Sequence, residues 1–569
     1  MSLNKSIKFS LTVLVVLFVV FAAFAFFIIR NDKRPYTVLI SPENNIQLVS
    51  ENASISTSII KLPNGGIDKA TVNSSTVNLR EAATGVVVPS HVNGGRSGNI
   101  ITLVPKTPLQ LNTTYIFTVT EGVKDISAAS FIPFTSTFTT GSAPSSELLN
   151  VKFDKVSLPN ASAIYSSLTF GPDGKLYALG IDGIINRFPV NADGTLGKPE
   201  LIYSLQNASG TRQQRLSIGL AFDPTATVDN LVAYVTHSTF VLQNGPDWDG
   251  KLTRLSGLNL EHVQDILINL PRSSKDHLTN SITFGPDGAL YFPQGSNTAL
   301  GRGDKTWSYR KEHLLSAAIL RLELTKLRVL PLDVKTADGG GRYNPYAPDA
   351  PLTIYATGFR NAYDLVWHSN GELYVPTNGS APGGNTPASI SGTLRPDGSV
   401  YKGPSVPALS KVAQTQKDFL FQVQKGGYYG HPNPLRGEFV LNGGNPTDSI
   451  DPAQINAYPE GTLPDANWRG YAFDFQKNKS PNGIIEYKSD AFNGALKGKL
   501  IIARYSANDI VILTPCSNKQ GISSFTEGSA IEGFSRFIVP LDLAEDVRTG
   551  NIYVSEYGRG GISLVKPKD

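Results

Sequence analysis

One phrase returns along this chain and limits what it can fold into. "LTFGPDGKLY" begins at Leu168, "ITFGPDGALY" at Ile282, "LVWHSNGELY" at Leu365 and "LDLAEDVRTGNIY" at Leu541, with looser copies in "GLAFDPTATVDNLVAY" from Gly219 and "ALKGKLIIARYSANDIVIL" from Ala495. Each is an apolar strand, a turn rich in Asp, Gly or Asn, and a second strand. Six irregularly spaced copies predict a six-bladed β-propeller with long loop insertions. In such a ring every sheet buries both faces against its neighbours, so the strands are apolar and the turns carry the polar residues. Ligands then sit on loops at one mouth of the central channel.

The rest of the chain divides around that ring. Composition agrees with an all-β, turn-rich protein, with 53 Gly and 37 Pro against one Met and one Cys in 569 residues. The net charge of +4 is spread without a basic block, so nucleic acid is not an expected partner. The lone Cys516 allows no intrachain disulfide and leaves the compartment unread. Residues 1–35 hold "LTVLVVLFVVFAAFAFFII", residues 11–29, an uncharged run long enough to cross a bilayer as a helix. It reads as an N-terminal membrane helix, an uncleaved anchor in preference to an export signal, with the body of the protein outside the cytoplasm. Residues 36–141 show the short alternating runs of a β-sandwich. Tyr115, Phe117 and Val119 alternate within its closing phrase, "LVPKTPLQLNTTYIFTVTEGVKDISAASFIPFTSTFTTG", which resembles the bacterial Ig-like domain. Residues 142–150 read as a linker and 151–569 as the propeller.

Within the propeller, "DHLTNSITFGPDGALYFPQG", "IYATGFRNAYDLVWHSNGELYVPTNG" and "DFLFQVQKGGYYGHPNP" follow one another in an order that resembles the glucose/sorbosone dehydrogenase family. These are six-bladed propellers related to the soluble quinoprotein glucose dehydrogenase. The resemblance implies an enzyme that oxidises a sugar or related polyol with pyrroloquinoline quinone (PQQ) and calcium, passing electrons to an unnamed acceptor. It places the catalytic base at His277, and a histidine suits that task because its ordinary pKa lies near neutrality, with Asp276 as a carboxylate to orient the ring. It places cofactor contacts at Gln214, Arg360 and Asn361. The Arg360 guanidinium would stabilise negative charge developing on the quinone.

The chain also departs from the family pattern. Where the family holds calcium with an acidic cluster, "NGSAPGGNTP" offers only Gly379 and Ser380, whose carbonyls would be the ligands. The family's late-blade cations that bind the PQQ carboxylates are out of register here, leaving Arg504 and Arg536 as the nearest candidates. His431 replaces the family's tryptophan in the Tyr-Gly-Trp-Pro turn. His277 and Arg360 also have packing alternatives: His277 as a partly buried loop cap, and Arg360 stacked on Tyr363 or Trp367. No Gly-x-Ser-x-Gly elbow, His-Glu-x-x-His helix, P-loop or dinucleotide fingerprint occurs. Two functions therefore stand, a quinoprotein-type sugar dehydrogenase and a non-catalytic surface propeller that binds carbohydrate or mediates adhesion. A calcium-dependent lactonase is a third, and needs carboxylates in the channel.

Overall fold

The structure is a computed structural model. It describes residues 34–568, except 43, 50, 52, 54, 63, 95–100, 108, 142–143, 209, 396–397, 404, 446–456, 460–461, 518 and 520. The expected membrane helix at 11–29 lies outside the described residues, among which no helix is long and apolar enough to cross a membrane. The chain divides between Ala143 and Pro144 into two compact units.

The first unit is a β-sandwich of two four-stranded sheets. One pairs Tyr36–Ser41, Ile55–Lys61, Thr102–Pro105 and Ser90–Asn93; the other pairs Ile46–Val49, Phe134–Thr140, Thr114–Val119 and Val77–Glu81. The alternation read from sequence is realised, because Tyr115, Phe117 and Val119 are buried while Thr114 is exposed. Those side chains pack with Ile55, Leu79, Leu103, Phe131 and Phe138.

The second unit contains six antiparallel sheets, which we number as blades in chain order. Blade 1 runs Tyr165–Phe170, Leu176–Gly180, Ile185–Phe188 and Glu200–Ile202; blade 2 runs Arg215–Phe222, Val232–Thr239, Gly250–Ser256 and His262–Leu270. Blade 3 runs Thr283–Phe284, Leu290–Gln294, Ala318–Leu322 and Leu352–Thr357; blade 4 runs Val366–Trp367, Leu373–Thr377, Lys417–Val423 and Phe473–Lys477. Blade 5 runs Pro481–Glu486, Leu500–Arg504, Asp509–Pro515 and Ile522–Thr526. Blade 6 joins Pro540–Asp546, Asn551–Glu556 and Gly561–Pro567 to a strand from the start of the unit, Phe153–Ser157, with Phe153 opposite Pro567 and Ser157 opposite Ser563. First strands touch between blades 1 and 2, 3 and 4, 4 and 5, 5 and 6, and 6 and 1, and Thr236 of blade 2 donates to the Asn280 carbonyl ahead of blade 3, so the sheets close into a propeller.

The recurring phrase has a local cause. In "GPDG", Asp173 accepts from the amide of Lys175 and from the Tyr177 hydroxyl on the next strand, and Asp287 does the same with Ala289 and Tyr291. The aspartate thus caps its own turn and clasps the tyrosine four residues on. The leading glycine is required by contact, since a Cβ on Gly171 or Gly285 would stand 2.5 or 2.4 Å from the tyrosine ring.

The segment expected as a linker is partly built into the ring. Ser145–Ser146 pairs in parallel with the outer strand of blade 5. The Glu147 carboxylate next to it accepts from Lys499, Thr514 and Ser524, and those partners explain why the segment is not free chain.

Every blade is antiparallel, so the loop between its second and third strands and the connection to the next blade leave from the same end. His277, Arg360, Asn361, Gly379, Ser380, Gln214, Arg504 and Arg536 all lie on or beside such segments, and therefore at one mouth.

Blade 6 is held by packing as well as pairing: Phe153 is 1% exposed and its ring contacts those of Phe492 and Phe534 at 5.0 and 4.7 Å. Phe153→Ala should destabilise the propeller by about 3–5 kcal/mol, read as the urea midpoint of its unfolding transition. Val156→Thr, at a half-exposed position of the same strand, should change it by less than about 0.5 kcal/mol.

Candidate functional site at the propeller mouth

His277 lies in the connection from blade 2 to blade 3, and that connection is shaped from below by Arg272. This arginine is fully buried and donates to Ser238, to the carbonyls of Thr239 and Val241, and to the carbonyl of Lys275. The Ser273 hydroxyl oxygen then accepts from the amides of Lys275 and His277, which folds the turn. The next loop can approach because Gly295 has no side chain; a Cβ there would meet the His277 Cβ at 2.7 Å.

The ring of His277 is fixed by Ser296, with Nδ1 3.0 Å from the Ser296 carbonyl oxygen and 3.1 Å from its Oγ. A carbonyl oxygen only accepts, so Nδ1 carries the proton and the Nε2 lone pair is left to act. Burial, reinforced by the Arg360 charge, holds His277 well below the ordinary histidine range. Asp276 does not orient the ring: it is exposed, and its charge acts on Arg360 instead.

Arg360 comes from the connection between blades 3 and 4. Its carbonyl accepts from the Ser296 amide at 2.8 Å, so Ser296 ties the two connections together. Nη1 donates to the Gly379 carbonyl at 2.8 Å, and the buried Nε has no protein partner. The guanidinium stacks on neither Tyr363 nor Trp367 but lies 5.7 Å from the centre of the Trp307 ring. Trp307 stands on a single 3-10 turn, Lys305–Trp307, capped by Asp304. Its ring is also 4.3 Å from that of His277 and 5.1 Å from the Lys275 ammonium. The indole therefore faces the histidine, the arginine and the lysine together.

The other expected site residues do not join them. Asn361 accepts from the Asn280 amide at 3.0 Å as part of a blade-to-blade clasp. Gln214 is exposed ahead of the first strand of blade 2. Arg504 is buried between Asp509 and Glu527 and is already neutralised. Arg536 is exposed, in a left-handed turn whose carbonyl accepts from Lys155. Gly379 gives its carbonyl to a guanidinium, and the Ser380 hydroxyl donates to the carbonyl of Ala381. A calcium ion at Gly379 would sit beside the positive Arg360. Among the described residues no group of three or more His, Cys, Asp or Glu side chains is arranged to hold a metal.

These contacts test the implied cofactor. The unpartnered Arg360 Nε suits an acceptor oxygen. The Trp307 ring lies against both His277 and Arg360, however, and Arg504 is spent on two carboxylates. In this arrangement the residues do not fit PQQ.

Sequence reasoning passed over Ser296, Trp307 and Glu312, the buried partner of His431, whose Nε2 is 2.9 Å from Oε1. Burial would raise Glu312, but hydrogen bonds from His431, Ser316 and Thr298 hold it at about 2. Its neighbour His313 sits between two carboxylates, 2.7 Å from Asp338 and 3.0 Å from Asp247, with Trp248 against its ring at 4.2 Å. Burial opposes its charge, but the two aspartates raise His313 to about 9. A raised histidine stabilises fully below its unfolded pKa, and that contribution is lost as pH rises through the folded value. Thermal unfolding should therefore show stability falling between about pH 6.5 and 9, and His313→Gln should flatten that slope.

Comparison with known proteins gives the following. Residues 31–140 match the family model described as Bacterial Ig-like domain. No curated protein matches the chain. Among solved structures, a putative oxidoreductase (glucose dehydrogenase) from Thermus thermophilus is similar at 18% identity and a TM-score of 0.43, covering 73% of this chain and 100% of that one. The holo form of the pyranose dehydrogenase PQQ domain from Coprinopsis cinerea is similar at 12% identity and 0.46, covering 75% and 98%. The apo form of the soluble aldose sugar dehydrogenase from Escherichia coli is similar at 15% and 0.44, covering 73% and 100%. The first unit thus carries a bacterial Ig-like domain, and the solved structures similar to the rest of the chain include sugar dehydrogenases.

Proposed function

We propose that the propeller mouth is the active site of a sugar- or polyol-oxidising dehydrogenase, with His277 as base and Arg360 as its cationic partner. The observation that carries this reading is the Ser296 carbonyl on His277 Nδ1, which leaves an unprotonated Nε2 beside the half-buried Arg360. In this role Nε2 takes the proton of a substrate hydroxyl. Arg360 steadies the negative charge that develops opposite it, an interaction strengthened by the shortage of water around both groups. The oxidation needs a hydride acceptor, and with Trp307 and Arg504 placed as they are the mouth does not fit PQQ, the cofactor named for the similar Coprinopsis domain. Its entry requires the Trp307 indole to leave His277 and Arg360. The uncharged run at 11–29 supports an exported, membrane-anchored protein, and a pellet that releases the full chain on alkaline extraction would sink that part.

A second reading, a non-catalytic propeller that binds surface carbohydrate, is favoured by one observation: Trp307 already lies against both functional residues, its ring tilted at 43° to that of His277 and 5.7 Å from the Arg360 guanidinium.

The full chain separates the two when it is titrated with PQQ and calcium, then given a sugar panel and an artificial electron acceptor. The dehydrogenase reading expects sugar-dependent reduction, and His277→Ala should lower kcat by about 10²–10⁴-fold. Trp307→Ala should bind PQQ more tightly than the parent chain. Folded protein that binds no PQQ in either form, yet is retained by a glycan array, would replace the first reading with the second.

A further inference from the structure

A cavity of about 30 Å³ lies beside Arg360, where the second strand of blade 4 reaches the mouth. Its wall includes Arg360, Thr377, Asn378 and His431, against an apolar floor of Phe419 and Phe421. Each of those four polar residues leaves one buried atom without a protein partner: Arg360 Nε, Thr377 Oγ1, Asn378 Oδ1 and His431 Nδ1. Thr377 is 5% and His431 2% exposed, so solvent at large does not serve them. A single unsatisfied buried group is uncommon, and four lining one cavity are not a packing defect, since packing defects are apolar and stay dry.

The hydrogen-bonding character of the four atoms selects the occupant. Arg360 Nε–H only donates. The Asn378 amide is oriented by its Nδ2, which donates to Asn482 Oδ1 at 3.0 Å, so Oδ1 faces the cavity as an acceptor. His431 Nε2 is committed to the Glu312 carboxylate, which can only accept, so Nε2 holds the proton and Nδ1 offers a lone pair. Thr377 can donate or accept. A cation is disfavoured by the guanidinium beside the cavity, and an anion by the two lone pairs of Asn378 and His431.

We propose that this cavity is a binding site for one neutral, water-sized molecule, a water that accepts from Arg360 and Thr377 and donates to Asn378 and His431. Two donors and two acceptors match a water's own valence, and the cavity is large enough to admit a water. The bound water would join Arg360 to the Glu312–His431 pair and so hold the guanidinium at Nε while Nη1 holds it at Gly379. The site does not depend on the sugar-oxidising reading, and no ligand role is yet given to Thr377 or Asn378.

A crystal structure of the full chain, refined to a resolution at which ordered waters are seen and with a crystal soaked in calcium chloride alongside, tests this. The expected result is one peak within hydrogen-bonding distance of at least three of the four atoms, with no anomalous signal. A dry cavity, or an anomalous calcium peak in it, would overturn the proposal. In Thr377→Val, which removes one hydroxyl at equal size, the peak should persist on the other three partners. Its loss there would show that Arg360, Asn378 and His431 do not make the site.

Discussion

The ring of blades rests on a set of buried polar clasps around its central channel. Innermost strands of a propeller present backbone amides to a channel with little water, and each amide needs a partner. Asp364 accepts from the amide of Ile484 in blade 5, and Asp542 from that of Leu168 in blade 1. The Tyr363 hydroxyl crosses to the carbonyl of Ser166, and Asn280 donates to the Asn361 side chain and the carbonyl of Ala362. Burial pushes Asp364 up to about 6 and Asp542 well above the carboxylate range, with Asp542 raised further by the charge of Asp364. They are held by geometry because every alternative leaves an amide unpaired.

The mouth inherits its rigidity from those clasps, and the same residue type meets three fates there. His277 is buried beside an arginine with a carbonyl on one nitrogen, so it stays neutral with a defined lone pair. His313 is buried between two aspartates and keeps its proton. His431 is paired with one glutamate but enclosed and near Arg360, and burial pulls it below the ordinary range. The number and sign of neighbouring charges, set against burial, separates the three.

How far the sequence foretold this differs between fold and site. The Asp-to-Tyr turn clasp is local, so its repetition announced the blades, and the alternation around Tyr115 announced the sandwich. Blade 6 was harder, because its outer strand comes from Phe153–Ser157, far away in sequence. The family-like order of motifs put His277 and Arg360 at one mouth, and the structure brings them together through Ser296 and Trp307. Neither of those two carries a motif; both lie in a long insertion of blade 3, where position follows from packing and not from pattern. Arg504 could have been recognised as structural, since Asp509 faces it across a short hairpin. The family register drew attention to its charge and away from that neighbour.

Closure of the ring by its first strand also bears on how the chain is made. Phe153–Ser157 is among the earliest parts of the propeller to be synthesised, and its partner Gly561–Pro567 is among the last. Until Gly561–Pro567 arrives, Phe153–Ser157 has no partner strand and blade 6 is too incomplete to cover the facing sides of blades 1 and 5. An interrupted chain would carry a ring with a gap and exposed strand edges, a form prone to pairing with other chains. The strand Gly561–Pro567 thus acts as a completeness check, and a product lacking it would be a target for proteolysis or aggregation in place of a partly working protein.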